Sequence, residues 1–256
     1  MLKNDKRSRL FVILGAFFIT NAIIAEFIGV KIFSMEGSLG IAPFDIRILG
    51  FEHLSFDLTC GVLIWPVVFI MTDIINEYYG RKGVRMLSYL AAGMISYAFV
   101  IVFMAIGTEP AAWWPGNYQD KGIANMQHAY SAVFGQGLWI IIGSLIAFLI
   151  GQLIDVWVFH YLKSKSGEKN LWLRSTGSTL VSQLIDSFVV LFIAFYIGQD
   201  WPIEKVLAIG LMNYIYKFTV AILLTPLLYI VHAAIDKYLG RELAEQMMKE
   251  AQEGAG

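Results

Sequence analysis

The sequence has little charge and almost no cysteine. Only 15% of its 256 residues are Asp, Glu, Lys or Arg, and 57% are hydrophobic, whereas charged residues make up about 25% of a soluble globular domain. Cys60 is the single cysteine, which excludes an internal disulfide framework and a metal site built from several cysteines. No region has the polar composition of a separate soluble domain. The composition therefore predicts a polytopic α-helical membrane protein.

Motifs of common catalytic and nucleotide-binding sites are missing as well. The sequence contains no Gly-x-x-x-x-Gly-Lys phosphate loop, no His-Glu-x-x-His zinc motif and no glycine–aspartate pair of the intramembrane aspartyl protease type. Gly177-Ser178 together with His160 is only a weak match to a membrane serine protease. We predict that the chain is not an enzyme and uses no metal or other cofactor.

Long apolar runs are what the sequence has in abundance. Several reach the ~20 residues that a helix needs to cross a hydrocarbon core of about 30 Å. We predict six transmembrane helices, at about 9–33, 60–79, 85–107, 132–161, 175–198 and 206–235. They form one membrane domain, residues 1–235. A charged cytoplasmic tail, residues 236–256, is predicted to be a short amphipathic helix that frays into solvent.

Three connecting segments have a composition that predicts their surroundings. Residues 34–59 alternate partly and contain glycine, which predicts an extracytoplasmic hairpin or a re-entrant segment. The loop 108–131 is rich in Trp, Tyr and Pro, and its Trp and Tyr favour the headgroup region, so it is expected at the membrane surface. Residues 163–170 are polar and charged and are predicted to be an aqueous linker.

The distribution of Lys and Arg predicts the orientation. With six spans, both termini lie on one side of the membrane. The N-terminus, the 80–85 turn, the 163–174 linker and the tail carry fourteen basic residues, whereas the opposite loops and span ends carry four. Cytoplasmic loops are enriched in Lys and Arg. Both termini are therefore predicted to be cytoplasmic.

The polar segment that closes the second apolar run is the most informative feature. Asp73, Asn76 and Glu77 are spaced i, i+3, i+4, so that on a helix they share one face. The preceding residues, 61–70, contain no ionisable side chain. A carboxylate near hydrocarbon is costly unless it faces a partner or a water-filled cavity. We therefore expect these acids to face the interior of the helical bundle.

The later spans provide candidate partners for these acids. The tetrapeptide Gln-Leu-Ile-Asp occurs at 152–155 and again at 183–186, each time with the amide and the carboxylate on one helix face. Ser178 lies in a polar stripe that is equally typical of close helix packing. Lys217 is too central in its span to reach either surface. It is expected either to lock the bundle through an ion pair or to line a substrate cavity.

Acids outnumber cations within the spans. Five carboxylates are accompanied only by Lys217 and Lys31, and amides and aromatic side chains accompany them; the acids are Glu26, Asp73, Glu77, Asp155 and Asp186. Carboxylates, amides and aromatic rings together suit a planar heterocycle better than a bare ion. A guanine-like edge presents two adjacent N–H donors that one carboxylate accepts side by side.

Four of these motifs resemble one known family. Thr72-Asp73-Ile-Ile-Asn76-Glu77-Tyr-Tyr-Gly80, Gly151-Gln152-Leu-Ile-Asp155-Val, Ser178-Thr179 with Gln183 and Asp186, and Tyr214 with Lys217 resemble the queuosine precursor transporter family, also called the vitamin uptake transporter family. The resemblance covers about residues 10–235. It implies a six-helix inner-membrane importer of 7-deazaguanine precursors of queuosine, with a fold similar to the substrate-binding subunits of energy-coupling-factor transporters.

The resemblance and the polar pattern together define a predicted substrate site. It consists of Asn21, Asp73, Asn76, Glu77, Gln152, Asp155, Ser178, Gln183, Asp186, Asn213, Tyr214 and Lys217. The expected partners are a small deazapurine and the lipid bilayer, without nucleic acid, and the chain is a monomer or a homo-oligomer. The alternative function is a substrate-capture subunit for a vitamin or nucleobase that needs separate energising proteins.

Overall fold

The chain is helical along most of its length. A computed structural model describes residues 5–135, 137–166 and 170–253. Its larger helices are α1 (Lys6–Ile28), α3 (Trp65–Ile106), α4 (Met126–Phe134), α5 (Leu138–Ser166), α6 (Leu171–Leu191), α7 (Ile203–Leu239) and α8 (Arg241–Glu253). A π-helical segment, Phe192–Ile197, extends α6. Part of the predicted linker, 167–169, and the end of the tail, 254–256, lie outside the described residues.

Within the described residues, five helical stretches are long and apolar enough to cross a membrane. They are α1, α3, the α4–α5 stretch, α6 with its extension, and α7. Large apolar side chains point outward on them, such as Val12, Leu223 and Ile230, each at least 56% exposed. Meanwhile the polar run from Thr72 to Glu77 is buried. This inside-out distribution is that of a protein whose surroundings are lipid, and it confirms the predicted all-α polytopic class.

The longest helix, α3, contains a reversal of chain direction at Gly80. Before Gly80, the chain starts beside the end of α1, where Gly61 abuts Ala25. It ends beside the start of α1, where Tyr79 donates a hydrogen bond to the Arg7 carbonyl. After it, Leu87 lies against Gly15, and Phe99 contacts Phe27 with ring centroids 5.3 Å apart. Both arms therefore follow α1, in opposite directions.

Gly80 allows this reversal because of its backbone conformation. Its φ of 65° and ψ of −171° belong to a region that only glycine occupies readily. A Cβ built at this position would lie 2.9 Å from the carbonyl oxygen of Ala251 in α8. The turn thus brings the backbones of α3 and α8 into direct contact, and any side chain here must push them apart.

Gly80→Ala is expected to destabilise the protein by about 1–3 kcal/mol or more, because alanine is strained in this conformation and its methyl group collides with α8. We expect the midpoint of thermal unfolding in detergent to fall by about 5 °C or more. Gly93→Ala is the matched control, since a Cβ there meets nothing within 4 Å, and it should leave the midpoint unchanged or raise it slightly. Equal effects of the two substitutions would contradict this role of Gly80.

The tail differs from its prediction. The expected fraying is wrong for the described residues, because α8 folds back onto the bundle and buries Ala244, Met247 and Ala251. Arg7 pairs with Glu250 at 2.7 Å, and hydrogen bonding by the Arg7 guanidinium holds the pKa of the Glu250 carboxyl below its usual range. An amphipathic helix was predicted, but its partner surface, the Gly80 turn with the start of α1, is created only by the fold.

The segment between α1 and α3 forms two small antiparallel sheets. Strand β1 (Ile32–Ser34) pairs with β4 (Asp57–Thr59), and a short helix α2 (Met35–Leu39) follows β1. Strands β2 (Ile46–Ile48) and β3 (Phe51–Leu54) form a hairpin with an irregular register. The predicted hairpin is therefore present. A small apolar cluster that includes Phe56, Leu58 and Met212 packs it against α7.

Candidate functional site

A cavity lies between the first arm of α3, α6 and α7. Each helix contributes side chains at a helical spacing: Trp65, Phe69 and Asp73 from α3, Ser175, Thr179 and Gln183 from α6, and Lys217, Ala221, Leu224 and Leu228 from α7. Residues four apart lie on one face of a helix, so each helix turns one stripe inward. The empty space among these side chains is about 480 Å³, counting its mouth. The space that a water-sized sphere can reach is only about 30 Å³, well below the roughly 300–1,000 Å³ of small-molecule sites, so a bound molecule requires these side chains to separate.

Asp73 provides the acceptor of this cavity. It is 3% exposed, and the Ser175 hydroxyl donates a hydrogen bond to its Oδ2. Its Oδ1 has no hydrogen-bond partner among the described residues, and neither has Nε2 of Gln183. Buried polar atoms are nearly always paired in folded proteins, and unpaired ones need an explanation. An acceptor and a donor left open in one cavity are matched to a ligand that offers the complementary groups.

Lys217 and Asp186 form an ion pair beside the cavity. The distance from Nζ to Oδ2 is 2.5 Å, and the two side chains are 10% and 18% exposed. Lys217 lines the cavity, whereas Asp186 is not among its lining residues. The sequence left two hypotheses for Lys217, an ion pair that locks the bundle and a cation that lines the cavity. Its position is compatible with both.

The two readings predict different results for a double substitution. Lys217→Met alone should destabilise the protein by about 1–3 kcal/mol, because it leaves Asp186 without its cation in a largely buried position. The double variant Lys217→Met/Asp186→Asn should recover most of the lost stability. If the pair only locks the bundle, the double variant also recovers transport. We expect it to stay at least tenfold impaired in uptake, and full recovery would contradict a direct role in the site.

A second polar layer lies behind the cavity, between α3, α5 and α6. The Ser182 hydroxyl donates to Oδ1 of the fully buried Asp155 at 3.2 Å, and Thr72 donates to Oε1 of Gln152 at 3.0 Å. Oδ2 of Asp155 and Nε2 of Gln152 have no partner within the described chain. The Ser178 hydroxyl donates to the Ser175 carbonyl. These predicted residues therefore surround the cavity-lining Asp73 and Ser175 without lining the cavity.

Glu77 lies one helical turn beyond Asp73 in a cluster of buried charges. Its Oε1 accepts from Nη2 of Arg174 at 2.7 Å, and its Oε2 accepts from Nε of Arg174 and from Nζ of Lys163, both at 3.2 Å. All three side chains are at most 2% exposed. Nearby, Nε2 of His160 contacts Oδ1 of Asn76 at 2.8 Å. Both carboxylate oxygens of Glu77 are thus occupied by the protein's own cations.

This cluster corrects the prediction of an aqueous linker at one end. Lys163, the first residue of the predicted linker 163–170, is buried, as is Arg174 beyond it, whereas Ser164, Lys165 and Asn170 are exposed. The sequence did not indicate that Lys163, Arg174 and His160 lie buried beside Glu77 and Asn76. Their partners are 84 to 97 positions away along the chain, and nothing local distinguishes Lys163 from the exposed Lys165. Trp65 and Phe69, the aromatic wall of the cavity, were also not predicted. Their four-residue spacing with Asp73 was the signal that could have identified them.

Three further predicted site residues, Asn21, Asn213 and Tyr214, do not line the cavity. The amide of Asn21 donates to the Phe17 carbonyl of its own helix at 2.8 Å. Asn213 and Tyr214 are partly buried on α7, where the Tyr214 ring contacts Phe218 at 6.0 Å between centroids. Asp73, Gln183 and Lys217 are the predicted residues that line the cavity. Contact of any of the twelve with a substrate stays a prediction.

Comparison with known proteins places this geometry in a family. Residues 59–231 match the family model described as "Putative vitamin uptake transporter". The chain belongs to this family of vitamin uptake transporters. The match covers α3 to most of α7 and so contains every residue of the cavity, whereas Asn21 and α8 lie outside it. A family of transporters also agrees with the prediction that the chain is not an enzyme.

Three curated relatives extend the comparison. The chain is 32% identical over 180 residues to the "Probable queuosine precursor transporter" of Bacillus subtilis, covering 70% of this chain and 73% of that one. It is 28% identical over 230 residues to the protein of the same name in Haemophilus influenzae, with 86% of each chain covered. The "Queuosine precursor transporter" of Escherichia coli is 27% identical, with 66% and 70% covered. No solved structure matches the chain.

Proposed function

We propose that this vitamin uptake transporter family member imports queuosine precursors, nucleobases of the 7-deazaguanine type, across the inner membrane. The observation that carries the proposal is that Asp73, with an unpaired acceptor, and Gln183, with an unpaired donor, line one cavity together with Trp65 and Phe69. The names of the three relatives support the substrate class. On the same grounds we propose that the other residues lining the cavity contact the substrate.

The hydrogen-bonding groups of a deazaguanine complement this pair. Its pyrimidine edge carries two adjacent N–H donors, which the Asp73 carboxylate accepts side by side, and a carbonyl, which the Gln183 amide donates to. The bicyclic ring then lies against Trp65 and Phe69, where offset or edge-on aromatic contacts are favourable. An aminomethyl substituent is cationic and finds its counter-ion in Asp186 when Lys217 moves aside.

The cavity is narrow, which requires such a movement. A water-sized sphere can be centred in only about 30 Å³ of it, room for a few waters at most. A bicyclic base needs the side chains around it to separate. Lys217 has a long flexible stem and lies at the wall of the cavity. We propose that displacement of Lys217 from Asp186 accompanies substrate entry.

The topology proposed for this transporter has six spans with cytoplasmic termini. The two arms of α3 run along α1 in opposite directions, so that α3 supplies two spans and the other four stretches supply one each. Removing the buried Lys163 and Arg174 from the basic residues leaves twelve on the terminal side against four. The Lys and Arg bias therefore still favours cytoplasmic termini. Residues 1–235 form the transporter domain and residues 236–256 the tail.

A binding screen tests this function. The purified protein is heated with an aminomethyl-bearing 7-deazaguanine, unsubstituted 7-deazaguanine, guanine, biotin or thiamine. A ligand present at a hundred times its Kd stabilises by about 2.7 kcal/mol, which raises the unfolding midpoint by about 5–10 °C. We expect such a shift with the deazaguanines and none with biotin or thiamine. A vitamin that stabilises as strongly as the deazaguanines would overturn the substrate class.

A further inference from the structure

A second cavity lies where α1, the Gly80 turn and α8 meet. Its volume is about 600 Å³, and it shares no lining residue with the candidate substrate site. Arg7, Arg81, Lys82 and Glu250 are its charged lining residues. It is located at the end of the bundle that carries both described chain ends. Neither the polar pattern of the spans nor the proposed transport reaction accounts for it.

The charges of this cavity are unbalanced. Glu250 is paired with Arg7, through contacts of 2.7 Å and 3.3 Å. Within the described residues, neither Arg81 nor Lys82 has a carboxylate within 4.0 Å. Nε of Arg81 is also buried without a hydrogen-bond partner in this part of the chain. Two cationic side chains therefore line the cavity without a counter-ion among the described residues, and the complementary ligand is an anion.

The opposite wall of the cavity is apolar and opens to the lipid-facing surface. Val12 of α1 and Met86 of α3 line it, and they are 56% and 53% exposed. Both belong to stretches long and apolar enough to cross a membrane. A soluble anion would gain nothing from this wall. A molecule with an anionic head and hydrocarbon chains would use both walls.

We propose that this cavity binds an anionic phospholipid, with its phosphate at Arg81 and Lys82 and an acyl chain along Val12 and Met86. Basic pockets between transmembrane helices are suited to anionic headgroups. A zwitterionic lipid would place its own cation beside two uncompensated positive charges. The bound headgroup touches α8, so that the lipid ties α8 to the Gly80 turn.

The test is lipid binding by the full chain, measured by native mass spectrometry from detergent. The probes are dioleoylphosphatidylglycerol, dioleoylphosphatidylcholine and glycerol phosphate as the soluble headgroup. We expect the wild type to prefer phosphatidylglycerol over phosphatidylcholine at least tenfold. Arg81→Gln/Lys82→Gln should lower its affinity for phosphatidylglycerol about thirtyfold at low salt, since each basic side chain near a lipid surface contributes about fivefold.

The matched control is Lys165→Gln/Lys237→Gln, which removes the same charge from exposed positions outside the cavity. It should change the affinity less than threefold. Met86→Trp fills the apolar wall, keeps every charge, and should weaken phosphatidylglycerol at least fivefold, so the proposal stays testable even if the double variant does not fold. Equal binding of the two lipids, equal losses in the control, or glycerol phosphate binding as tightly as the lipid would each overturn it.

Discussion

Asp73→Asn is expected to reduce uptake of a 7-deazaguanine precursor more than a hundredfold at substrate concentrations below half-saturation. Asparagine has the shape of aspartate but places an NH₂ donor where the substrate also has a donor. The loss of one charge-assisted hydrogen bond and the new donor–donor contact amount to about 3 kcal/mol. The fold should survive, because the Ser175 hydroxyl, which now donates to Asp73, finds an acceptor in the asparagine carbonyl. Uptake is measured in a strain that neither makes nor imports the precursor.

The control for this experiment is Asp120→Asn, the same chemical change at an exposed loop position. It should transport at the wild-type rate. Membrane levels of both variants are compared, so that a loss of protein is not mistaken for a loss of transport. If Asp73→Asn transports within threefold of the control at equal protein levels, the assignment of Asp73 to the substrate site is wrong.

Glu77→Gln is expected to have the largest effect on stability. It leaves Arg174 and Lys163, at most 2% exposed, without the carboxylate that both now contact. Removing one partner of a buried ion pair costs about 3–5 kcal/mol, because an uncompensated charge stays behind. The midpoint of thermal unfolding in detergent should fall by about 10 °C. The geometry thus favours a structural role for Glu77, beside the predicted role in substrate binding.

The substitutions of its partners should follow a definite order. Lys163→Met should cost less than about 1 kcal/mol, since Arg174 keeps both of its contacts to Glu77. Arg174→Met should cost more, because it removes the two-pronged contact. Ser88→Ala serves as the control, as its buried hydroxyl has no partner among the described residues. A midpoint for Glu77→Gln no lower than that of Ser88→Ala would contradict the account of this cluster.

Much of the membrane architecture was predictable from the apolar runs, because their length and composition are fixed by the thickness of the hydrocarbon core. The reversal between the second and third predicted spans was anticipated at residues 80–85, where glycine and basic residues interrupt the run. The docking of α8 onto the bundle was not anticipated from the sequence. Its apolar face is visible in the sequence as an amphipathic stripe, but only the folded bundle supplies the Gly80 backbone that this face contacts.

The candidate site, too, was predictable only in part from the sequence. Asp73, Gln183 and Lys217 were found because ionisable and amide groups within spans are conspicuous. The contribution of Trp65 and Phe69 was missed, since aromatic residues at helical spacing are common in any membrane helix. The burial of Lys163 and Arg174 could not be read at all, because it depends on a carboxylate on another helix. A basic residue near the end of a predicted span has the same sequence pattern whether its side chain faces water or a buried carboxylate such as Glu77.

Uptake by the purified chain in liposomes tests the central proposal most directly. The protein is reconstituted without any other polypeptide, and a radiolabelled 7-deazaguanine precursor is supplied outside. We expect accumulation in the vesicles that unlabelled 7-deazaguanine competes away and that Asp73→Asn lowers more than a hundredfold. Binding of the precursor without uptake would contradict a self-sufficient transporter and support a capture subunit that needs energising partners. Neither binding nor uptake would contradict the proposed function itself.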